Sequence, residues 1–192
     1  MKAFKATATL ESLSPYSQTK YHGLKKEPGE RDDDFEERTW IHKMSVGENG
    51  NVIIQAAAFK GCLVGAGMYL GMKIPGQGNK TFTQKFKSGV MVLDHLDTGV
   101  PKSDIIKVPL FVPSDGKSGG KGTRVVRNFP TISEWNGDVV FHVFDNTISK
   151  DILMTHLECM GMFIGVGNYR PQNGGTNGRF KCTKLKWESV TL

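Results

Sequence analysis

The first ten residues alternate, with Phe4, Ala6, Ala8 and Leu10 on one side and Lys5, Thr7 and Thr9 on the other. That period of two predicts a half-buried strand. The period changes over Ala56–Leu70, where Phe59, Leu63, Ala66 and Leu70 recur at helical spacing. A single apolar stripe of this kind predicts an amphipathic helix, and Gly71 is placed to end it. Leu153, Leu157, Met160 and Ile164 repeat the spacing, with Ser149 as a cap and Asp151 in the first turn; both residue types suit a helix N-terminus. Apolar runs at 89–93, 105–112 and 139–144 predict strands, the second broken by Pro109, and Val125-Val126 resumes extended chain. A last strand is predicted over 179–192. Its apolar parity switches from Phe180 and Cys182 to Leu185 and Trp187, the mark of a bulge.

Between these segments the periodicity fails. Residues 11–38 are rich in Ser, Pro, Gly and charge, and the acidic run 30–37 reads as a solvated loop, since it lacks the partner His or Gly-centred turn of a metal site. Residues 40–44 and 52–54 flank Gly47-Glu48-Asn49-Gly50-Asn51, which predicts a short hairpin. Residues 72–88, 113–122 and 165–178 read as loops. Gly61, Gly65 and Gly67 weaken the first helix, and close packing against a sheet is the return expected. With the loops set aside, the order is strand, helix, strand, strand, helix, strand. This predicts an α+β fold with the ferredoxin-like βαββαβ order of RRM domains, whose sheet face is a platform for unpaired bases.

Charge sharpens the picture. The chain carries 25 basic and 19 acidic side chains, a net charge of +6, and acids crowd into 27–37. Three later stretches hold Lys and Arg with no acid: Lys73, Lys80, Lys85 and Lys87; Lys117, Lys121, Arg124 and Arg127; Arg170, Arg179, Lys181, Lys184 and Lys186. Such blocks suit a polyanion, because each neutralised phosphate releases counterions. Solubility is the plainer use of the same charge.

Other chemistry finds little support. Cys62, Cys159 and Cys182 are odd in number and lack CxxC pairing, so neither a disulfide frame nor a zinc site is expected, and no metal or other cofactor is assigned. The N-terminus has no signal-peptide core, and no apolar run matches a membrane span. The expectation is a cytoplasmic protein without a membrane partner, in which the Asn79-Lys80-Thr81 sequon has no role. Gly116-Lys117-Ser118 imitates the end of a P-loop, but Phe111 stands where the first Gly belongs. GxSxG and HExxH are absent, and His22, His42, His95, His142 and His156 show no ligand spacing. No catalytic residue is assigned.

The informative segment runs from Gly161 to Phe180. Gly165, Gly167, Gly174, Gly175 and Gly178 would let backbone amides approach a phosphate, Arg170 and Arg179 supply charge, and Tyr169 offers a stacking surface. A Gly-rich connector between a helix and an edge strand fits the composition equally well.

This segment resembles the glycine-rich loop of the RAMP superfamily of CRISPR proteins, the Cas7, Csm3, Cas5 and Cas6 kind. There a Gly-x-Gly, a basic residue and Gly-Arg-aromatic lead into the last strand. Gly165, Gly167, Arg170, Gly178, Arg179 and Phe180 fill those places. Ile54-Gln55-Ala56-Ala57-Ala58-Phe59-Lys60-Gly61-Cys62-Leu63 is similar to the entry of that family's first helix, with Gln55 where Pro is usual. The resemblance implies a single RRM-like domain over 1–192 with two long insertions, about 11–51 and 94–137, of the kind that contact the strand or a neighbouring subunit. It also implies a Cas7/Csm3-like RNA-binding backbone subunit of an antiviral ribonucleoprotein, or a phage or mobile-element relative. Such subunits stack head to tail into a homo-oligomeric filament along single-stranded RNA. Two alternatives stay open: a single-stranded DNA-binding protein of recombination or replication, and a Cas6- or Csm3-like ribonuclease using His42, His142 or Asp104.

Overall fold

The computed structural model describes residues 2–114 and 123–191. The chain opens with β1 (Lys2–Ser12), β2 (Tyr16–Ser17), α1 (Asp32–Thr39), β3 (Asn51–Ile54) and α2 (Ala56–Leu70). It continues through α3 (Phe82–Gly89), β4 (Val90–Val92), β5 (Leu96–Pro101), β6 (Ile106–Pro113) and β7 (Arg124–Ile132). The last elements are β8 (Asn136–Val143), α4 (Lys150–Cys159) and β9 (Phe180–Thr191). The result is an α+β fold with antiparallel sheets.

The main sheet has the order β4-β8-β1-β9, and every neighbouring pair is antiparallel. The alternation of β1 sets its burial: Ala6, Ala8 and Leu10 are fully buried, whereas Lys5, Thr7 and Thr9 are half-buried. Val139, Phe141 and Val143 of β8 join that buried layer. The bulge expected in the last strand lies where the register slips between Thr9 and Leu10, opposite Lys184 and Cys182. Phe59 of α2 meets Phe180 of β9 edge-on, with ring centroids 6.2 Å apart.

Both predicted helices form on their apolar stripes. Phe59, Leu63 and Ala66 are buried on α2, and Gly71 closes it at φ 56°, a conformation that costs glycine little. The Ser149 hydroxyl accepts from the Ile152 amide at 3.2 Å to start α4. Leu153 and Leu157 are buried on α4, and Met160 and Ile164 on the π-turn that extends it over Met160–Ile164.

Four sequence expectations are corrected. The acidic run is α1, because Glu36 finds buried partners on β7, described below. Residues 40–43 form a 3-10 turn, and β3 pairs with β5 instead; only a bridge from Val46 to Val52 remains of the expected hairpin. Residues 72–88 are not all loop, since α3 buries Phe82 and Phe86 against α2. The α2 glycines face no sheet. A Cβ on Gly67 would lie 3.2 Å from the Thr83 Cα of α3, one on Gly65 would lie 3.1 Å from Ile164, and Gly61 faces open space.

The chain between β1 and α2 thus carries β2, α1 and β3, and the chain between β4 and β8 carries β5, β6 and β7. β6 and β7 form a hairpin, with β2 on the far side of β7. Pro109 is tolerated within β6 because that strand is the sheet's edge.

His156 is fully buried between Phe82 and Phe86, whose centroids lie 6.0 and 4.5 Å from its own. Burial pushes its pKa down, against a bond to the Ile152 carbonyl. The neutral ring therefore donates through Nδ1, and Nε2 has no partner among the described residues. The unfolded chain binds the extra proton first, so this stability is whole above about pH 6.5 and declines on acidification. Urea midpoints for the parent should fall between pH 7 and 5, and those of His156→Leu should fall distinctly less. Equal slopes would refute this assignment.

Candidate nucleic-acid interface

The glycine-rich segment is a knot tied on itself. The Val166 amide donates to the Gly178 carbonyl at 3.0 Å, the Asn177 amide to Tyr169 at 2.9 Å, and the Gly175 amide to Arg170 at 3.1 Å. Two further amides tie it to the strand end beside β2: Gly178 donates to Pro15 at 2.7 Å and Asn168 to Ser17 at 2.8 Å. Glycine is needed where backbones touch. A Cβ on Gly175 would sit 1.8 Å from the Tyr169 carbonyl oxygen, and one on Gly178 1.8 Å from that of Val166. Gly165, Gly167, Gly174 and Gly178 all have positive φ. Much of the amide supply that a phosphate would use is thus spent internally.

The loop's larger side chains diverge. Tyr169, itself at φ 54°, sets its ring edge-on to Phe129 of β7 at 5.2 Å. The Arg170 Nε is buried and has no partner among the described residues. Arg179 turns the other way, its Nε donating to the Met162 carbonyl at 3.2 Å and its fork reaching Thr176.

Arg179 borders a cleft of about 510 Å³ between α2 and the π-turn. Tyr69 and Phe163 line it as a stacked pair, with centroids 5.1 Å apart and planes at 13°. Gly65, Met68, Met162 and Gln172 are also in its wall. Sequence reasoning passed over this group. The available signal was a large apolar residue off each helical stripe: Tyr69 beside Leu70, and Phe163 beside Ile164.

The second basic stretch belongs to the β6–β7 hairpin. Its Lys117 and Lys121 lie outside the described residues. Arg124 places its guanidinium over the ring of Phe111, 5.9 Å from the centroid, and Phe111 is 62% exposed. Arg127 instead pairs with Glu36 at 3.3 Å. The Glu36 carboxylate also accepts from Lys43 and, at 2.7 Å, from the Asn128 amide. Burial raises its pKa, but the Lys43 ammonium, the Asn128 amide and Arg127 outweigh that and hold it below the ordinary value. Lys107 bonds Glu37 at 2.5 Å. The hairpin base is thereby anchored on α1.

The first basic stretch surrounds α3. Lys85 pairs with Asp145 at 2.9 Å, while Lys80 lines a cleft nearby and Lys87 is exposed. Lys60 donates to the carbonyls of Phe86, Lys87 and Val90 and so closes the C-terminus of α3. The structure therefore groups the loop with β2 and β7, but leaves Lys80 and Lys87 across α2 from the Arg179 cleft, since Gly65 and Gly67 face opposite neighbours.

His142 lies in β8 opposite Lys5, whereas His42 is exposed after α1 and Asp104 accepts from Ser103 in a surface turn. No contact among the described residues joins them. Among those residues, no cluster of His, Cys, Asp or Glu is arranged to hold a metal ion, and no helix is long and apolar enough to cross a membrane.

No family model matches the chain, and no curated protein matches its sequence. Among solved structures, the chain is similar in fold to a subunit in the cryo-EM structure of the Type III-B Cmr-beta complex bound to cognate target RNA, with a TM-score of 0.52 and 14% identity. The match covers 97% of this chain and 61% of that subunit, so the chain spans less than two thirds of its neighbour, and the likeness is one of fold.

Proposed function

We propose that this chain is a non-catalytic, single-stranded RNA-binding subunit of the RAMP type, built on an RRM-like core and stacking head to tail with its own copies in the Cas7-like manner. The observation that carries this reading is the β6–β7 hairpin. It presents Phe111 and Arg124 together at its outer end, and the sequence joining its strands adds Lys117 and Lys121 with no acid between 117 and 127. Aromatic faces with cations are what a flexible, unpaired strand needs. Two further findings support the reading. The sheet order β4-β8-β1-β9, with α2 and α4 in the crossovers, suits a ferredoxin-like core. The fold likeness also extends over nearly the whole chain to a subunit of an RNA-bound complex. In this reading Arg124, Arg179, Lys80 and Lys87 meet the phosphates, while Arg127 and Lys85 hold internal acids.

Anisotropy of labelled single-stranded RNA and DNA, read across a salt series, tests it. RNA affinity should fall with salt, the logarithmic slope being about −0.7 per phosphate contacted. Phe111→Ala combined with Arg124→Ala should weaken binding by at least about fiftyfold, the loss of one stacking and one charge-assisted contact. Salt-insensitive binding removes the polyanion reading, and a clear DNA preference transfers the function to DNA. Labelled RNA should stay intact with or without Mg²⁺. Cleavage abolished by His142→Ala or His42→Ala would overturn the non-catalytic assignment.

A further inference from the structure

We propose that the cleft between α2 and the π-turn receives one unpaired base of a bound strand, with the adjoining phosphate on Arg179. This rests on the single-strand-binding reading above and adds a second contact point, separate from the hairpin.

Three features of the cleft argue for a base. Tyr69 and Phe163 are 60% and 51% exposed, and because each ring covers one face of the other, an outer face is left on which a base extends the pile. Every base has a π-face, so such a platform takes any of them. Arg179 is fixed by the Met162 and Thr176 carbonyls, with N–H groups of its fork still to give. It also lies within the stretch from Arg170 to Lys186 that contains no acid. Finally, the space of about 510 Å³ falls in the usual range for small-ligand sites, and the Gln172 amide on its wall offers polar groups to a base edge.

An apolar side chain from a protein partner would cover the rings equally well. It would also desolvate Arg179 with nothing of opposite charge to meet it. A base linked to a phosphate satisfies the rings and the guanidinium together.

The probes are labelled oligouridylate and an abasic strand of the same length and charge. The parent should bind the base-bearing strand about tenfold more tightly, as expected for stacking. In a Phe111→Ala background, which removes the hairpin's own stacking face, Tyr69→Ala with Phe163→Ala should abolish that preference and leave the salt slope unchanged, whereas Tyr69→Phe with Phe163→Tyr should retain it. A parent that binds neither strand overturns the nucleic-acid reading and this inference together. Parent binding that is salt-dependent but indifferent to bases overturns the inference while leaving the charge contacts of the reading above, and a base preference surviving the two alanines in the Phe111→Ala background overturns the inference alone. If that variant fails to fold, judged by circular dichroism, the parent carrying the single exposed change Phe163→Ala is compared on the same two strands, and an unaltered preference again overturns it. Unchanged RNA binding with a shift in oligomeric state by light scattering would assign the cleft to a protein contact and overturn it as well.

Discussion

Replacing Glu36 by Gln should lower the unfolding free energy by about 3–5 kcal/mol, the cost of breaking a buried ion pair from one side. Glu36 and Lys43 are both buried, and the amide would leave the Lys43 ammonium facing a neutral group. The same carboxylate holds the Asn128 amide and Arg127, so one substitution loosens α1, the 3-10 turn and β7 together. In a domain of this size a thermal midpoint falls about 2–4 °C per kcal/mol, and a drop on the order of ten degrees is expected. The dependence on pH has a definite sign. A carboxyl held below its ordinary value contributes stability above that value, about pH 4.3, and loses it as acid protonates the folded state. The parent should therefore destabilise below pH 4.5 more steeply than Glu36→Gln. Glu36→Leu with Lys43→Met should recover much of the loss, because removing both charges removes the unpaired one. A midpoint unmoved by Glu36→Gln would refute the anchoring role of this network.

The glycine knot supplies the other large effect, and a pair of positions isolates its cause. Gly174 and Gly178 both have positive φ, 78° and 72°. Nothing lies within 4 Å of a Cβ built on Gly174, whereas one on Gly178 would be 1.8 Å from the Val166 carbonyl oxygen. Gly174→Ala should cost about 1–2 kcal/mol, the left-handed penalty alone. Gly178→Ala adds the displacement of a backbone that is itself hydrogen-bonded, about 1–3 kcal/mol more, and breaks the closure onto Val166 and Pro15. Denaturant midpoints of the two variants give the difference directly. Equal losses would mean that strain, not the touching backbones, explains the glycines. On the proposed function, nucleic-acid affinity should follow the same order, because the knot positions Arg179 through the Thr176 carbonyl.

The local rules of the chain were legible where one element buries one face. Phe4 to Leu10, the stripe of α2 from Phe59 to Leu70, the Ser149 cap and the parity switch in β9 all follow from side-chain periodicity, and the structure keeps them. So does the placing of glycine-rich chain between the second helix and the last strand. What those glycines do was not legible, since composition cannot distinguish an amide offered to a phosphate from one bonded to Tyr169 or Pro15. Pairing was equally hidden. β3 chose β5, more than forty residues downstream by the register of Ile54 with Leu96, over the neighbour that its turn residues suggested, because sheet partners are chosen by tertiary packing and not by proximity in sequence. The acidic run 30–37 reads as solvated, and Asp32, Asp33, Asp34 and Glu37 are indeed exposed; only the approach of Lys43 and the Asn128 amide buries Glu36, since a carboxylate leaves water when charge and hydrogen bonds replace its hydration. Basic stretches could be counted along the chain, but folding decided which cations face acids, as Arg127 and Lys85 do, which stand over an aromatic ring, as Arg124 does, and which border a cleft, as Arg179 does. The sequence by itself determined the strand, helix, strand, strand, helix, strand order of the main elements and the supply of charge. The tertiary structure decided where that charge is left to act, because neutralisation and burial depend on neighbours brought together across the whole chain.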